Sequence, residues 1–225
     1  GLILIDAAAE FKMYSSDVTR TFPVNGKFTK VQKDVYTEVL KAQELGIKNV
    51  TTKKTMSDIH TSTVASISQS LVDLGLVPMG VEETISMMHY FEFFMHGTGH
   101  WLGLDVHDAG NTEEKNKPRK LKPGMVTTIE PGIYIRPNKP EIEFKLLERD
   151  PKKIRERRKS LGMEKATKLE SEEMKDAKSI KHKIPKDLLG IGIRIEDDIV
   201  CTENDAINLT IGAPKTIDDV EAICS

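Results

Sequence analysis

Short apolar runs punctuate the chain, and most of them have the length and composition of buried strands. Residues 1–11 and 14–24 form two such runs, and their closeness in sequence predicts that they pair as a hairpin. Two further runs, at residues 121–135 and 190–202, also predict strands, each with acidic or basic residues set among apolar ones. Four predicted strands therefore carry polar side chains into what reads as core.

Between the first and second pairs of strands, apolar residues recur every three or four positions, which predicts two amphipathic helices. Thr29 is the predicted N-cap of the first helix, which we expect to end near Asn49. Ser57 is the predicted cap of the second helix, and Gly75 is expected to end it. We interpret both helices as layers that cover the strands, so the predicted class is α+β.

The predicted hairpin holds two aspartates. If Phe11 and Lys12 form its turn, Asp6 lies directly opposite Asp17. Opposed Cβ atoms of antiparallel strands are about 4.5–5.5 Å apart, and two metal ions that share ligands are about 3.5–4 Å apart. The hairpin alone therefore predicts two carboxylates at a separation that suits a pair of metal ions. Two unrelated aspartates in turns remain the alternative at this point.

Several other residues that can bind metal also lie within apolar or glycine-rich segments. With the two aspartates they form a set of five: Asp6, Asp17, His100, Glu130 and Glu196. Burying one carboxylate costs several kcal/mol unless positive charge meets it. Four buried carboxylates and one imidazole are therefore expected to share a cationic partner, and two divalent ions suit this many acids better than one.

Residues 93–108 concentrate histidine and glycine. The segment contains His96, His100 and His107, and its glycines would let backbone approach a ligand closely. The glycines between the first two histidines argue against a helical metal-binding pair, and the chain has no His-Glu-x-x-His motif. A cluster of structural histidines is the alternative.

In the last predicted strand, residues two positions apart share a face, so Arg194, Glu196 and Asp198 are expected to point together. Arg194 could form an ordinary ion pair with one of these acids, or it could orient the carboxylate of a ligand. Both interpretations are open, and they are compatible.

Composition adds limits on the class of protein. The chain has 225 residues, 38% of them hydrophobic, and a net charge of -2, which fits one soluble domain and favours neither a nucleic-acid nor a membrane partner. No apolar run reaches the length of a membrane span. Two cysteines make no disulfide framework, so we expect a reducing compartment, the cytoplasm. A targeting segment ahead of Gly1 stays an open alternative.

One stretch, residues 136–189, differs from the rest in charge. Residues 139–187 contain 16 Lys and Arg against 11 Asp and Glu, whereas the remainder of the chain is acidic. Its middle has no apolar stripe, which predicts a solvated helix or a disordered loop inserted into the domain. RNA binding by its basic cluster is an alternative, which the interleaved acids weaken.

Four segments together carry a resemblance to a known family. They are IDAAAEFKMYSSDVTRTFPVNGKFT, FMHGTGHWLGLDVHD, TIEPGIYI and GIGIRIEDDIV. In this order they resemble the signature segments of the Xaa-Pro aminopeptidases (aminopeptidase P). These are pita-bread metallopeptidases of peptidase family M24, related to prolidase, methionine aminopeptidase and creatinase. The resemblance implies a pita-bread (creatinase/aminopeptidase-like) fold, a curved mixed β-sheet flanked by helices, and it covers nearly the whole chain outside residues 136–189.

The resemblance implies roles for the five candidate ligands. Asp6 matches the carboxylate that chelates one metal ion, Asp17 and Glu196 match the two that bridge both ions, and His100 and Glu130 match the ligands of the other ion. The family's usual ion is Mn²⁺, which suits oxygen-rich ligation with a single imidazole, although Co²⁺ or Zn²⁺ could occupy such a site.

The implied reaction is removal of one N-terminal residue from a peptide with proline in second position, by attack of a hydroxide that bridges the two ions. His107 resembles the residue that stabilises the tetrahedral intermediate, and His96 resembles a histidine near the leaving proline. Glu130 resembles the acid that shuttles the proton of the attacking water. Arg194 completes the candidate catalytic set as a residue that orients a carboxylate.

The family also implies elements that precede Gly1, so we expect residues 1–225 to be a catalytic domain that lacks its N-terminal part, with the charged insert at about 136–189. In the full-length protein the resemblance implies a homo-oligomer. The expected partner is a peptide with proline at position 2, with neither nucleic acid nor membrane. Prolidase, which cuts only dipeptides, is the nearest alternative, and a pita-bread module that binds without cleaving is another.

Overall fold

Two long helices lie against short antiparallel strands in the computed structural model, which describes residues 1–115, 117–146 and 151–224. The strands are β1 (Leu2–Ala7), β2 (Glu10–Phe11), β3 (Tyr14–Ser15), β4 (Val18–Pro23), β5 (Glu113–Glu114), β6 (Lys117–Pro118), β7 (Val126–Ile129), β8 (Gly132–Tyr134), β9 (Glu141–Leu146), β10 (Lys178–Lys183), β11 (Gly192–Arg194), β12 (Asp197–Cys201) and β13 (Ala206–Asn208). Strand β1 pairs with β4, β2 with β3, β5 with β6, β8 with β11, and β9 with β10, while β12 lies between β7 and β13. Every ladder among the described residues is antiparallel.

The helices are α1 (Lys30–Lys48), α2 (Met56–Asp73), α3 (Val81–Ser86), α4 (Pro151–Leu161), α5 (Met163–Asp176) and α6 (Ile217–Ile223), with a 3-10 helix at His89–Glu92. No helix in the described ranges combines the length and the apolar character needed to span a membrane.

Helix α1 begins and ends where the sequence predicts. The hydroxyl oxygen of Thr29 accepts the backbone N–H of Gln32, and the side-chain oxygen of Gln32 accepts the backbone N–H of Thr29. The two bonds form a capping box. The predicted cap of α2 is wrong by two residues, because Thr55 forms the same reciprocal box with Asp58. Ser57 therefore lies exposed within the first turn of the helix.

The main core lies between these two helices and the strands β8, β9 and β11. Tyr36 of α1 and Leu71 of α2 are fully buried there, together with Ile133, Phe144 and Ile193 from the strands. Burial of a large apolar side chain contributes about 1.5–3 kcal/mol, so this layer holds the helices on β8 and β11, which adjoin the candidate ligands Glu130 and Glu196.

The hairpin of β1 and β4 has a different register from the predicted one. Asp6 lies opposite Thr19, and the turn consists of Lys12 and Met13, which have φ angles of 52° and 72°. Both positive φ values identify a two-residue turn of the type that matches strand twist. The predicted pairing of Asp6 with Asp17 is therefore wrong by two residues. An even shift leaves every side chain on its predicted face, so both aspartates still point toward the same centre.

The predicted insert is partly core. Strands β9 and β10 pair along their whole length, and Ile142 and Phe144 of β9 are buried in the main core. Between β9 and β10 in sequence lie α4 and α5, which are linked by the ion pairs Arg157–Glu173 and Arg158–Glu170. The predicted solvated helix is thus a helical hairpin, and the part of the prediction that falls on residues 147–150 lies outside the described residues.

Candidate metal centre

The five candidate ligands come from distant parts of the chain and converge. They are Asp6 in β1, Asp17 just before β4, His100 in the loop after the 3-10 helix, Glu130 just after β7, and Glu196 just before β12. Their ligand atoms form two trios, each with all atoms within 4.8 Å of one another. One trio is Asp6, Asp17 and Glu196, and the other is His100, Glu130 and Glu196. The two trios share Glu196, so they are parts of one centre.

The imidazole of His100 presents a defined nitrogen to the acids. Its Nδ1 lies 3.0 Å from the carbonyl oxygen of Trp101, and its Nε2 lies 3.4 Å from Asp17 Oδ2 and 3.5 Å from Glu130 Oε1. Because a carbonyl oxygen only accepts, Nδ1 must carry a proton and donate it. In the neutral ring Nε2 then has a free lone pair directed at the centre, the arrangement found in metal-binding histidines.

Backbone pairing explains how a loop histidine is held so firmly. The N–H of Glu130 donates to Thr98 O, and the N–H of Thr128 donates to His100 O, which extends β7 by a short ladder. A Cβ atom on Gly99 would lie 1.8 Å from the carbonyl oxygen of Thr128. Only glycine fits between the strands at this point, and this close approach places His100 and Glu130 side by side.

The acids of the centre outnumber the cations that reach them, since Arg194 forms its ion pair with Asp6. Burial, with a smaller contribution from the neighbouring acids, raises the pKa of Glu130 to about 7 and that of Glu196 to about 8, even though Arg194 lowers the pKa of Glu130. Burial also raises the pKa of Asp17, with Asp6 adding to the shift. Crowded carboxylates with raised pKa values are what a cation would relieve, and their donor set of oxygens with one imidazole is chemically suited to a divalent metal. The residues present therefore fit a metal ion.

Arg194 has a different ion-pair partner from those considered in the sequence. Its Nη2 donates to Asp6, and its Nε donates to the hydroxyl of Thr19 at 3.0 Å. Glu196 and Asp198, the acids that alternate with Arg194 in sequence, form no ion pair with it among the described residues, and the ion pair of Arg194 is with Asp6. The guanidinium thus touches one candidate ligand directly.

His96 lies beside the centre in a chain of hydrogen bonds that the sequence did not indicate. Its Nδ1 is 2.7 Å from Gly97 O and must donate, so Nε2 accepts the hydroxyl proton of Tyr134 at 2.8 Å. The Tyr134 oxygen in turn accepts from Arg194 Nη1 at 3.4 Å. Tyr134 is therefore a site residue that sequence reasoning missed, and its place in the apolar strand after Glu130 was the available signal.

His107 comes close to the centre from the exposed side. Its ring centroid is 4.1 Å from that of His100, and its ligand atom lies within 4.8 Å of those of Asp17 and His100. All three candidate histidines are thus placed around the acids. His107 lies beside His100, and His96 lies beside Glu130, with its Nδ1 3.7 Å from Glu130 Oε2.

Asp198, which the sequence predicts on the same face as Glu196 but which is absent from the candidate ligands, also borders the centre. It is buried, its Oδ2 accepts the backbone N–H of Asp17 at 3.0 Å, and its Oδ1 has no hydrogen-bond partner among the described residues. Burial raises its pKa to about 6, although the hydrogen bond from the backbone N–H of Asp17 partly offsets the shift. Its position two residues after Glu196 was the signal, since the strand period predicts a shared face.

Comparison with known proteins gives a consistent result. A family model described as metallopeptidase family M24 matches residues 1–203. The Xaa-Pro aminopeptidases of Haemophilus influenzae and Escherichia coli are 38% and 37% identical to the chain, over 98% and 99% of its length. These alignments cover 41% and 40% of the two relatives. The chain therefore spans about two fifths of the curated relatives it matches.

Solved structures agree with these sequence relatives. Aminopeptidase PepP of Pseudomonas aeruginosa aligns with a TM-score of 0.77 and 37% identity, covering 99% of this chain and 41% of that one. Aminopeptidase P from E. coli with the inhibitor Pro-Leu aligns with a TM-score of 0.76 and 36% identity, with the same coverage. The fold class predicted from the sequence, α+β with the pita-bread architecture, is confirmed by these alignments.

Proposed function

We propose that this chain, which belongs to metallopeptidase family M24, is a metal-dependent exopeptidase that removes the N-terminal residue from peptides with proline in second position. The observation that carries the proposal is the pair of ligand trios that share Glu196. The specificity for proline is supported by the relatives, which are named as Xaa-Pro aminopeptidases.

The metal content follows from the two trios. Asp6, Asp17 and Glu196 would hold one divalent ion, while His100 and Glu130 would hold a second together with Glu196 and Asp17. Both aspartate and glutamate oxygens are hard ligands, and a single imidazole is compatible with them, so Mn²⁺ is the ion we propose. Co²⁺ and Zn²⁺ are the alternatives.

When bound, the two ions would activate a water molecule and polarise the carbonyl of the scissile peptide bond. Glu130 is suited to accept the proton of that water, because its carboxylate lies within the centre, with Oε1 3.5 Å from His100 Nε2. His107 would stabilise the negative charge that develops on the carbonyl oxygen. His96 would contact the leaving proline, and Arg194 would keep Asp6 oriented through their ion pair.

The position of Asp6 supports exopeptidase activity. Its side chain is about half exposed, whereas Asp17 and Glu196 are buried deeper in the centre. We propose that the free amine of the substrate binds beside Asp6, at the outer edge of the centre. A fixed position for the amine would limit cleavage to the first peptide bond, which is the bond before proline in the proposed substrates.

The cellular setting belongs to the same proposal. Cys201 and Cys224 are both free thiols, which supports a reducing compartment, and we propose the cytoplasm. We propose further that the protein forms a homo-oligomer and acts on peptides.

Hydrolysis of the tripeptide Arg-Pro-Pro, with and without added Mn²⁺, tests the proposal. We expect release of arginine that depends on Mn²⁺ and is lost in Asp17→Ala, while the exposed control variant Asp34→Ala keeps full activity. Equal rates for Asp17→Ala and the wild type would reject the centre. Turnover of the dipeptide Arg-Pro without turnover of the tripeptide would identify a prolidase instead.

A metal count separates the enzyme from a binding module. Protein purified with Mn²⁺ is expected to carry close to two ions per chain. A content below about half an ion per chain, together with no turnover, would favour a module that binds without cleaving.

A further inference from the structure

The side chain of Thr19 forms a hydrogen bond with the carboxylate of Glu196, the candidate ligand that the two trios share. Its side chain is fully buried in β4, and its Oγ1 lies 2.5 Å from Glu196 Oε2 and 3.0 Å from Arg194 Nε. Neither composition nor motif spacing singled out this residue. It stands opposite Asp6 in the hairpin, a position that became visible only with the observed register.

The direction of the two hydrogen bonds is determined by their partners. The guanidinium of Arg194 can only donate, so the hydroxyl oxygen of Thr19 must accept from it. The single hydroxyl proton then points to Glu196 Oε2, which must accept. Oε2 therefore keeps an unprotonated lone pair toward Thr19, and the carboxylate is held in one orientation. A charged donor at the start of such a chain strengthens the second bond.

Backbone groups of Glu196 are also held by β4. The N–H of Glu196 donates to the carbonyl oxygen of Thr19 at 3.1 Å. Arg20, the next residue, donates from Nη1 to both the carbonyl of Thr19 and that of Glu196. Glu196 is thus fixed at its amide, its carbonyl and one carboxylate oxygen by two consecutive residues of β4.

Thr21 offers a comparison within the same strand. It is also fully buried, and it lies two residues along β4 on the same face. In the part of the chain that the structure describes, its hydroxyl bonds only to the backbone of Arg194: it donates to the carbonyl oxygen at 3.0 Å and accepts from the amide at 3.2 Å. Thr21 therefore performs a local structural role, whereas Thr19 contacts the carboxylate of a candidate metal ligand.

We propose that Thr19 is a positioning residue that orients the carboxylate of Glu196 toward the metal ions and links it to Arg194 and Asp6. One guanidinium then holds two candidate ligands, Asp6 directly and Glu196 through the threonine hydroxyl. The inference rests on the proposed function, because it assumes that Glu196 binds metal.

Calorimetric titration of MnCl₂ into the chelator-treated full chain tests the inference. Loss of a group that orients a metal ligand typically weakens metal affinity about 10–100-fold, and we expect Thr19→Val to do so. Thr19→Ser keeps the hydroxyl and is expected to stay within about threefold of the wild type. Thr21→Val, the matched control, is expected to lower the melting temperature of the metal-free chain about as much as Thr19→Val and to leave Mn²⁺ affinity within about threefold.

The outcomes separate this inference from the proposed function. If the wild type binds Mn²⁺ and cleaves Arg-Pro-Pro while Thr19→Val binds equally well, the inference is overturned and the function stands. Equal loss of affinity in Thr21→Val would assign the effect to strand stability and would also overturn it. A wild type that binds no Mn²⁺ would overturn both. If Thr19→Val does not fold, Thr19→Ala provides the same measurement with the hydroxyl removed.

Discussion

Three consecutive acids, Glu196, Asp197 and Asp198, are all buried, yet they lie in opposite electrostatic settings. Because side chains alternate along a strand, Asp197 points to the opposite face from Glu196 and Asp198. Its carboxylate accepts from two cations and three neutral donors: Arg20, Lys215, Gln43, Asn208 and Thr210. Burial alone would raise the pKa of Asp197, but the two cations outweigh it and the pKa is lowered.

On the other side the balance is reversed. Glu196 has Glu130 and Asp17 as neighbours, and its pKa is raised to about 8 by burial and by those charges. The guanidinium that reaches this side, Arg194, forms its ion pair with Asp6. Burial is common to both sides, so what distinguishes them is the supply of positive charge. On the Asp197 face, cations of the chain itself neutralise the buried acid. On the Glu196 face the acids are in excess, so a bound cation would be needed to neutralise them.

The largest expected effect is on activity. Glu130→Gln removes one negative charge and the proposed proton acceptor without changing volume, so we expect kcat/KM on an Xaa-Pro peptide to fall at least about 10³-fold at saturating Mn²⁺. Glu92→Gln, at a surface cluster with Arg136 and Lys139, is the control and should leave kcat/KM unchanged. A loss below about tenfold for Glu130→Gln would break the comparison, since the acid would then not serve the reaction.

The second largest expected effect is on the stability of the fold, through the buried cluster around Asp197. Asp197→Asn leaves Arg20 and Lys215 without a counter-charge in a buried position, and we expect the free energy of unfolding to fall by about 3–5 kcal/mol. Urea unfolding of the metal-free chain measures it, with the exposed Asp34→Asn expected within about 0.5 kcal/mol of the wild type. A neutral result for Asp197→Asn would show that the cluster does not stabilise the fold.

Metal itself provides a third comparison. A ligand that binds only the folded chain stabilises it by about 2.7 kcal/mol at a concentration of 100 times its Kd. We expect Mn²⁺ to raise the free energy of unfolding by about this amount and to do so only while the Glu196 side is intact. Differential scanning calorimetry with and without Mn²⁺ measures the effect, and Asp17→Ala should show none. An unchanged increment in that variant would place the binding elsewhere.

The smallest effect has the opposite sign from usual. Glu196→Gln replaces a carboxyl group whose pKa is raised on folding with a neutral amide, so we expect the metal-free chain to gain about 1–2 kcal/mol near neutral pH while losing metal binding. The folded pKa of Glu196 is about 8, above its ordinary value of 4.5. Between these values the folded wild type binds more protons than the unfolded chain, so its stability falls as pH rises.

Urea unfolding in chelator from pH 5 to 9 checks this sign. The stability of Glu196→Gln relative to wild type should grow from pH 5 to about pH 8 and then level off. A constant difference would mean that folding does not raise the pKa of Glu196.

The candidate ligands could be named from the sequence because each is a polar or charged residue within an apolar or glycine-rich segment. Glu130 and Glu196 stand in apolar runs where a lone carboxylate would be costly, and that conflict is visible without coordinates. The resemblance of the four signature segments supplied the fold, which the alignments with solved structures confirm.

Local geometry was harder to predict. The turn at Lys12 and Met13 uses positive φ without the Asn-Gly or Gly-Gly pair that normally announces it, so the hairpin register was wrong by two residues. The cap of α2 was misplaced because Ser57 is a good cap by type, and only the reciprocal bond between Thr55 and Asp58 decides between them.

By itself the sequence determined which residues are candidates for the centre, because buried acids, a glycine-flanked histidine and strand periodicity are properties of residue type and order. Only the tertiary structure decided how charge is shared among them. Whether Asp197 or Glu196 meets a cation depends on Arg20 and Lys215, which approach from distant segments. Electrostatic energy in a low-dielectric interior changes steeply with distances of a few ångström, and such distances are not encoded in any local pattern.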